Sequence, residues 1–241
     1  DAAATKNKVQ VRGGTVTGEI AGAHAVYDTT LTATHTLSNG NNVMLGSEEP
    51  TRALGMNVAG ASIYGTDYRD VTPSVTGTPE LTFDSASVQI KDNKLIVTTT
   101  GVSAKKVRNF DSYTFVLGDN FENKDTMLTL TEAGGFGTVS NVASNPAVKV
   151  DWGKVKANTS KLTDRRGGGI HGRNNFTLMQ EAVPGTTISY PNELAFANYT
   201  DTAGIAEIDR VYEKKMTADV APAAGSTDTS ANKVLLELNR F

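Results

Sequence analysis

The sequence predicts an all-β fold, and within that class a β-solenoid of short stacked strands followed by a further β-rich unit towards the C-terminus. Three observations predict it. Short runs alternate apolar and polar residues, as a half-buried strand does. Glycines punctuate these runs where a hairpin would carry Asn-Gly or Asp-Gly. A degenerate internal repeat near the N-terminus has the period of architectures whose units bury their apolar face only by stacking on neighbours. The alternative is a β-sandwich, which also joins many short strands with turns.

In chain order, Asn7 to Val11 alternates, Gly13 and Gly14 interrupt, and Thr15 to Ile20 alternates again before Gly22. The glycines are expected to turn corners where a Cβ would clash or φ must be positive. The run IAGAHAVY at 20–27 aligns with VAGASIYG at 58–65, matching Ile20 with Val58 and Gly22 with Gly60. Upstream of each copy an Asn-x-Val opening recurs, at Asn7-Lys8-Val9 and Asn41-Asn42-Val43. These features define a repeat region over 1–72. From Pro73 a Thr/Gly/Pro linker leads into strands predicted in LTFDSASVQI, NKLIVTTTGV, SYTFVLG, TMLTLTEA and AVKVDW, then FTLMQEA, which make a β-rich unit over 73–190. Asp92-Asn93 reads as a tight turn. The remainder, 191–241, is a C-terminal β-rich segment with a small and polar linker at 221–231. Within it, Ile205, Ile208, Val211 or Tyr212 and Met216 recur at helical spacing and predict a short helix over 205–216. The terminal NKVLLELNRF alternates as a strand.

Two stretches resemble the passenger regions of Gram-negative autotransporters, the type V secreted adhesins. NKVQVRGGTVTGEIAGA is similar to the Asn-x-Val-x-Val-x-Gly-Gly-Thr-Val-x-Gly-x-Ile-x-Gly coils of such passengers. RNFDSYTFVLGDNFENKDTMLTLTEAGG, residues 108–135, is similar to a segment near the end of many of them, with LMQEA at 178–182 in the closing strand. The resemblance implies a right-handed parallel β-helix displayed outside the cell, at the bacterial surface, as a stalk or adhesive surface. It also implies a strand rather than a helix over 205–216.

Composition narrows the function classes. With 23 basic and 26 acidic residues the net charge is −3, and the basic residues are scattered apart from Lys105-Lys106-Arg108 and Arg165-Arg166, both expected in solvated loops. That balance offers nucleic acid no basic face. No apolar run has the roughly 20 residues of a membrane-spanning helix. The chain opens at Asp1 without Met or a secretory leader, which reads as a processed protein or an excised fragment. The absence of cysteine excludes thiol chemistry and a disulfide framework.

An enzyme on this framework would need paired carboxylates or an oxygen-rich cation site on neighbouring strands. The candidate carboxylates are Asp67 and Asp70, the set Asp119, Glu122 and Asp125, and Asp164 near Arg165, Arg166 and His171. The middle set lacks ordered cation-loop spacing, and turn formation by Asp and Asn accounts for it. His24, His35 and His171 show no metal-ligand spacing. Trp152, the single tryptophan, ends an apolar strand and is expected in the core. The expected function is therefore extracellular, structural or adhesive, without catalysis and without a cofactor or metal; a polysaccharide-active β-helix enzyme or carbohydrate-binding module is the alternative. Two interaction surfaces are expected. Arg165, Arg166, His171 and Arg173 in the glycine-rich RRGGGIHGRNN would hold anions. The terminal strand, through Val234, Leu236 and Leu238, would add to the sheet of another copy or of the rest of a longer passenger. A host or matrix surface ligand completes the expected partners.

Overall fold

The computed structural model describes residues 2–27, 36–70, 88–132, 147–151, 173–181, 194–196, 212–219 and 232–240. Among them there are strands and no helix. The strands form β1 (Ala2–Ala3), β2 (Lys8–Val11), β3 (Gly14–Thr15), β4 (Glu19–Ala21) and β5 (His24–Tyr27). Next come β6 (Thr36–Asn39), β7 (Asn42–Leu45), β8 (Met56–Tyr64) and β9 (Asp67–Asp70), then β10 (Val88–Lys91), β11 (Lys94–Val97) and β12 (Val102–Arg108). The remainder are β13 (Ser112–Val116), β14 (Thr126–Leu130), β15 (Ala147–Asp151), β16 (Arg173–Glu181), β17 (Leu194–Phe196), β18 (Tyr212–Asp219) and β19 (Asn232–Arg240).

Most of these strands pair in parallel, and they pair in chain order. One sheet runs β2, β7, β11, β13, β15, β17; a second runs β8, β12, β14, β16, with β3 and β4 both on the outer edge of β8. β6 lies between β1 and β10, and β5 pairs with β9. Parallel pairing is the arrangement a hairpin-built sandwich would not have. It requires each strand to return to the same place after a long excursion, and the apolar alternation fixes where it lands. Val9, Val43, Leu95, Tyr113 and Val148 are in register across the first sheet, as are Val11, Leu45, Val97, Phe115 and Val150. From Val43 to Val150 every member of these columns is buried. Facing them, Val58, Ala104, Val107, Leu128, Leu130 and Met179 from the second sheet complete one continuous core. Each Val, Leu, Phe or Met side chain among them contributes roughly 1.5–3 kcal/mol when withdrawn from water, before entropy is counted.

The corners are polar but satisfied. Asn41 and Asn93 are fully buried at the residue before β7 and β11, and Asn7 stands at the same place before β2. Asn41 Oδ1 accepts from the Asn7 amide at 3.1 Å and its Nδ2 at 3.0 Å, while Asn93 Oδ1 accepts from the Asn41 amide at 2.9 Å and its Nδ2 at 3.0 Å. The ladder ends on Asp111, whose carboxylate accepts from the Asn93 amide at 2.8 Å. This is why an Asn-x-Val opening recurs in the sequence: a buried amide side chain can donate and accept along the stacking direction at once.

Several expectations need correcting. The repeat alignment at 20–27 and 58–65 is not the structural register, since Ile20 lies opposite Ile63 and Ala21 opposite Tyr64. The equivalent glycines are Gly22 and Gly65. A Cβ on Gly65 would stand 2.2 Å from the Asn109 carbonyl oxygen, and one on Gly22 2.7 Å from that of Gly65. Gly14, with φ +81°, is the expected corner in the left-handed region. The run Thr15 to Ile20 is broken between β3 and β4, and NKLIVTTTGV ends as a strand at Val97. Thr98, Thr99 and Thr100 form a buried corner, where the Thr99 hydroxyl donates to the Thr51 carbonyl at 2.6 Å. Lys105, Lys106 and Arg108 lie on β12, not on a loop, with the Lys106 ammonium 6.0 Å above the Tyr64 ring. The helix expected over 205–216 gives way at Tyr212 to β18, which pairs antiparallel with β19; residues 205–211 lie outside the described residues. Tertiary pairing with β19 overrides helical spacing here.

Candidate functional site

The described side chains best placed for chemistry are Glu19, His24 and Asp67, at the corner that follows β4 and β8. The corner is built by stacking. The Gly22 amide donates to the Tyr64 carbonyl at 2.9 Å and the Asp67 amide to the Ala23 carbonyl at 2.8 Å, so the chain after Gly22 lies directly on the chain after Gly65. His24 opens β5 and Asp67 opens β9, and the two residues are register partners. His24 Nδ1 is 3.0 Å from Asp67 Oδ2, with the imidazole 58% exposed and the carboxylate 9% exposed. Glu19, exposed on β4 opposite Ser62, brings a third donor, and one ligand atom from each residue lies within 4.8 Å of the other two. One imidazole nitrogen and two carboxylates in reach of a common point is a donor set for a divalent cation. Sequence spacing could not reveal it. His24 and Asp67 come together only through the register of β5 on β9, and Glu19 reaches them around a glycine corner.

The other predicted residues fare differently. Asp125 is engaged by Arg52, whose Nε lies 3.1 Å and 2.9 Å from its two oxygens and whose Nη2 lies 2.9 Å from one of them; it also accepts from the Glu122 amide at 2.8 Å. Glu122 is 3.4 Å from the same guanidinium. This set therefore ties the loop before β14 to the loop before β8 and leaves no open cation loop at Asp125. Arg165, Arg166, His171, Asp164, His35 and Trp152 lie outside the described residues. Arg173 opens β16, where it faces Asn239 of β19. Leu236 is buried in the core, since β19 is paired on one side with β16 and on the other with β18. Val234 and Leu238 sit on the same doubly paired strand, opposite Met179 and Asn174. The terminal strand expected to reach another chain is thus interior to its own sheet. Asp70 closes β9 opposite Tyr27.

Compared with known proteins, the chain matches no family model, no curated protein and no solved structure.

Proposed function

We propose that the chain is an extracellular structural or adhesive protein, a β-solenoid passenger at a bacterial surface whose function lies in an extended, stacked shape and not in catalysis. The observation that supports this reading most is the pairing of strands in parallel and in chain order, each a coil's length from its partner, with Asn7, Asn41 and Asn93 laddered at one corner. A stack of this kind grows by adding coils, so it makes rods with long lateral faces suited to contact with a host or matrix surface, with further coils of a longer passenger, or with other copies. The resemblance of residues 7–23 and 108–135 to autotransporter passengers supports the same location. The rival reading, a polysaccharide-active enzyme, needs a free carboxylate pair, and Asp125 of the expected set is engaged by Arg52. Negative-stain microscopy and small-angle scattering of the purified chain, with adhesion of chain-coated beads to cultured cells and matrix proteins, test the proposal. Rods that confer adhesion are the expected result. A compact globule, or rods with no adhesion and with turnover of pectin, alginate or glycosaminoglycan, would overturn it.

A further inference from the structure

We propose that Glu19, His24 and Asp67 form a binding site for a late first-row divalent metal ion, with zinc the best fit, which clasps β4 and β5 to β9. The proposal stands independently of the surface-protein reading. Three features of the corner carry it. The first is donor separation. Ligands at about 2.0–2.2 Å from one tetrahedral zinc ion stand about 3.3–3.6 Å apart, and His24 Nδ1 and Asp67 Oδ2, 3.0 Å apart, need to part by only a few tenths of an ångström to admit it. All three donors lie within 4.8 Å of one another, so small side-chain adjustments, chiefly of the exposed Glu19 and His24, bring them to bonding distance of one ion.

The second is preorganisation. The residues are held on backbone that is hydrogen-bonded on both sides of the corner, from Ser62 to the Gly18 carbonyl at 3.0 Å through Gly22 to the Asp67 amide. Asp67, with a side chain only 9% exposed, cannot swing away from His24 as a surface carboxylate would. The ion would therefore meet a nearly formed site, and little side-chain entropy is lost on binding.

The third is charge and ligand type. Two carboxylates and an imidazole nitrogen match a dication, and the imidazole selects zinc, cobalt or nickel over calcium and magnesium, which prefer all-oxygen shells. With three protein donors and an exposed His24 the remaining positions are open to water. Because the ligands come from strands on two different passes of the chain, occupancy would stabilise the N-terminal edge of the stack, where β9 is the one strand paired with β5 among the described residues.

The experiment measures zinc chloride binding by competition with a chromophoric chelator, and cobalt(II) chloride binding by its ligand-field absorption. The protein is the full chain carrying His35→Ala and His171→Ala, so that His24 is the sole imidazole. Expected are one saturable equivalent, its loss in His24→Ala, and a weakening of at least about tenfold in Glu19→Gln. Zinc should raise the melting temperature of this parent and not that of His24→Ala. His24 and Glu19 are exposed, so both variants should keep the parent's circular dichroism, which is checked first. Absence of saturable uptake, uptake unchanged in either variant, or competition by calcium at equal concentration would overturn the proposal and leave a His–Asp ion pair only.

Discussion

Gly65 and Gly18 look alike in the sequence and differ completely in the structure. At Gly65 a Cβ would meet the Asn109 carbonyl oxygen at 2.2 Å and the Asn93 Cβ at 2.8 Å, whereas at Gly18 nothing lies within 4 Å. Backbone on the neighbouring pass of chain cannot yield as a side-chain tip can. Gly65→Ala is therefore expected to cost about 1–3 kcal/mol or more and Gly18→Ala to be near neutral, as read by chemical denaturation. Asp111 supplies a second test at this scale. Burial holds its carboxyl above the usual carboxylate range, the hydrogen bond from the Asn93 amide pulls the other way, and the charge of Asp92 adds to the rise. The folded chain then holds this proton more tightly than the unfolded chain. Its contribution to stability is full below the ordinary aspartate value of about 3.9 and is lost as pH rises through the folded value. Asp111→Asn keeps the acceptor for Asn93 and removes that loss. It should melt above the parent at neutral pH, with the difference shrinking as the pH falls towards about 4.

At the scale of elements, β19 decides how the second sheet ends. It runs antiparallel between β16 and β18, with Leu236 opposite Phe176 and Met216. A parallel ladder left open offers its unpaired backbone groups to any passing strand, and an antiparallel pair laid over that edge moves the open edge outward to β18. Deleting residues 232–241 should therefore lower the melting temperature and produce larger species by light scattering, since it uncovers the edge of β16 and the apolar core beneath Leu236. A strand that merely dangled would leave the melting temperature of the truncated chain unchanged. The Arg52–Asp125 clamp acts at the same scale, joining the loop before β8 to the loop before β14 and holding the Asp125 carboxylate with the Arg52 guanidinium and the Glu122 amide.

For the whole molecule, in-order parallel pairing means that nearly every strand finds its partner through a long stretch of intervening chain. Loop closure must precede the contacts that reward it, so folding is expected to be slow compared with helical proteins of similar length. Far-ultraviolet circular dichroism should give a strand-dominated spectrum with helix well below the roughly one-third typical of globular proteins. Stopped-flow refolding should show its main phase at milliseconds or slower. A microsecond phase carrying most of the amplitude would contradict both the topology and its parallel register.

The all-β class was legible from alternation alone, because a period of two is written in each strand's own residues: Val43 and Leu45, Leu95 and Val97, Tyr113 and Phe115. The Asn-x-Val openings were legible too, since each asparagine marks one rung of a ladder that repeats. Register was not. The sequence aligns Ile20 with Val58, and the structure pairs it with Ile63, because small residues recur on both sides of a corner while register is set by burial and by where the Gly65 corner can be approached. The fate of 212–219 and of the terminal strand likewise depended on partners far away in the chain. The meeting of Glu19, His24 and Asp67 was hidden for the same reason. Local sequence dictates which face of a strand is apolar, and only tertiary stacking decides which strand, and hence which polar side chain at its edge, comes to lie beside it.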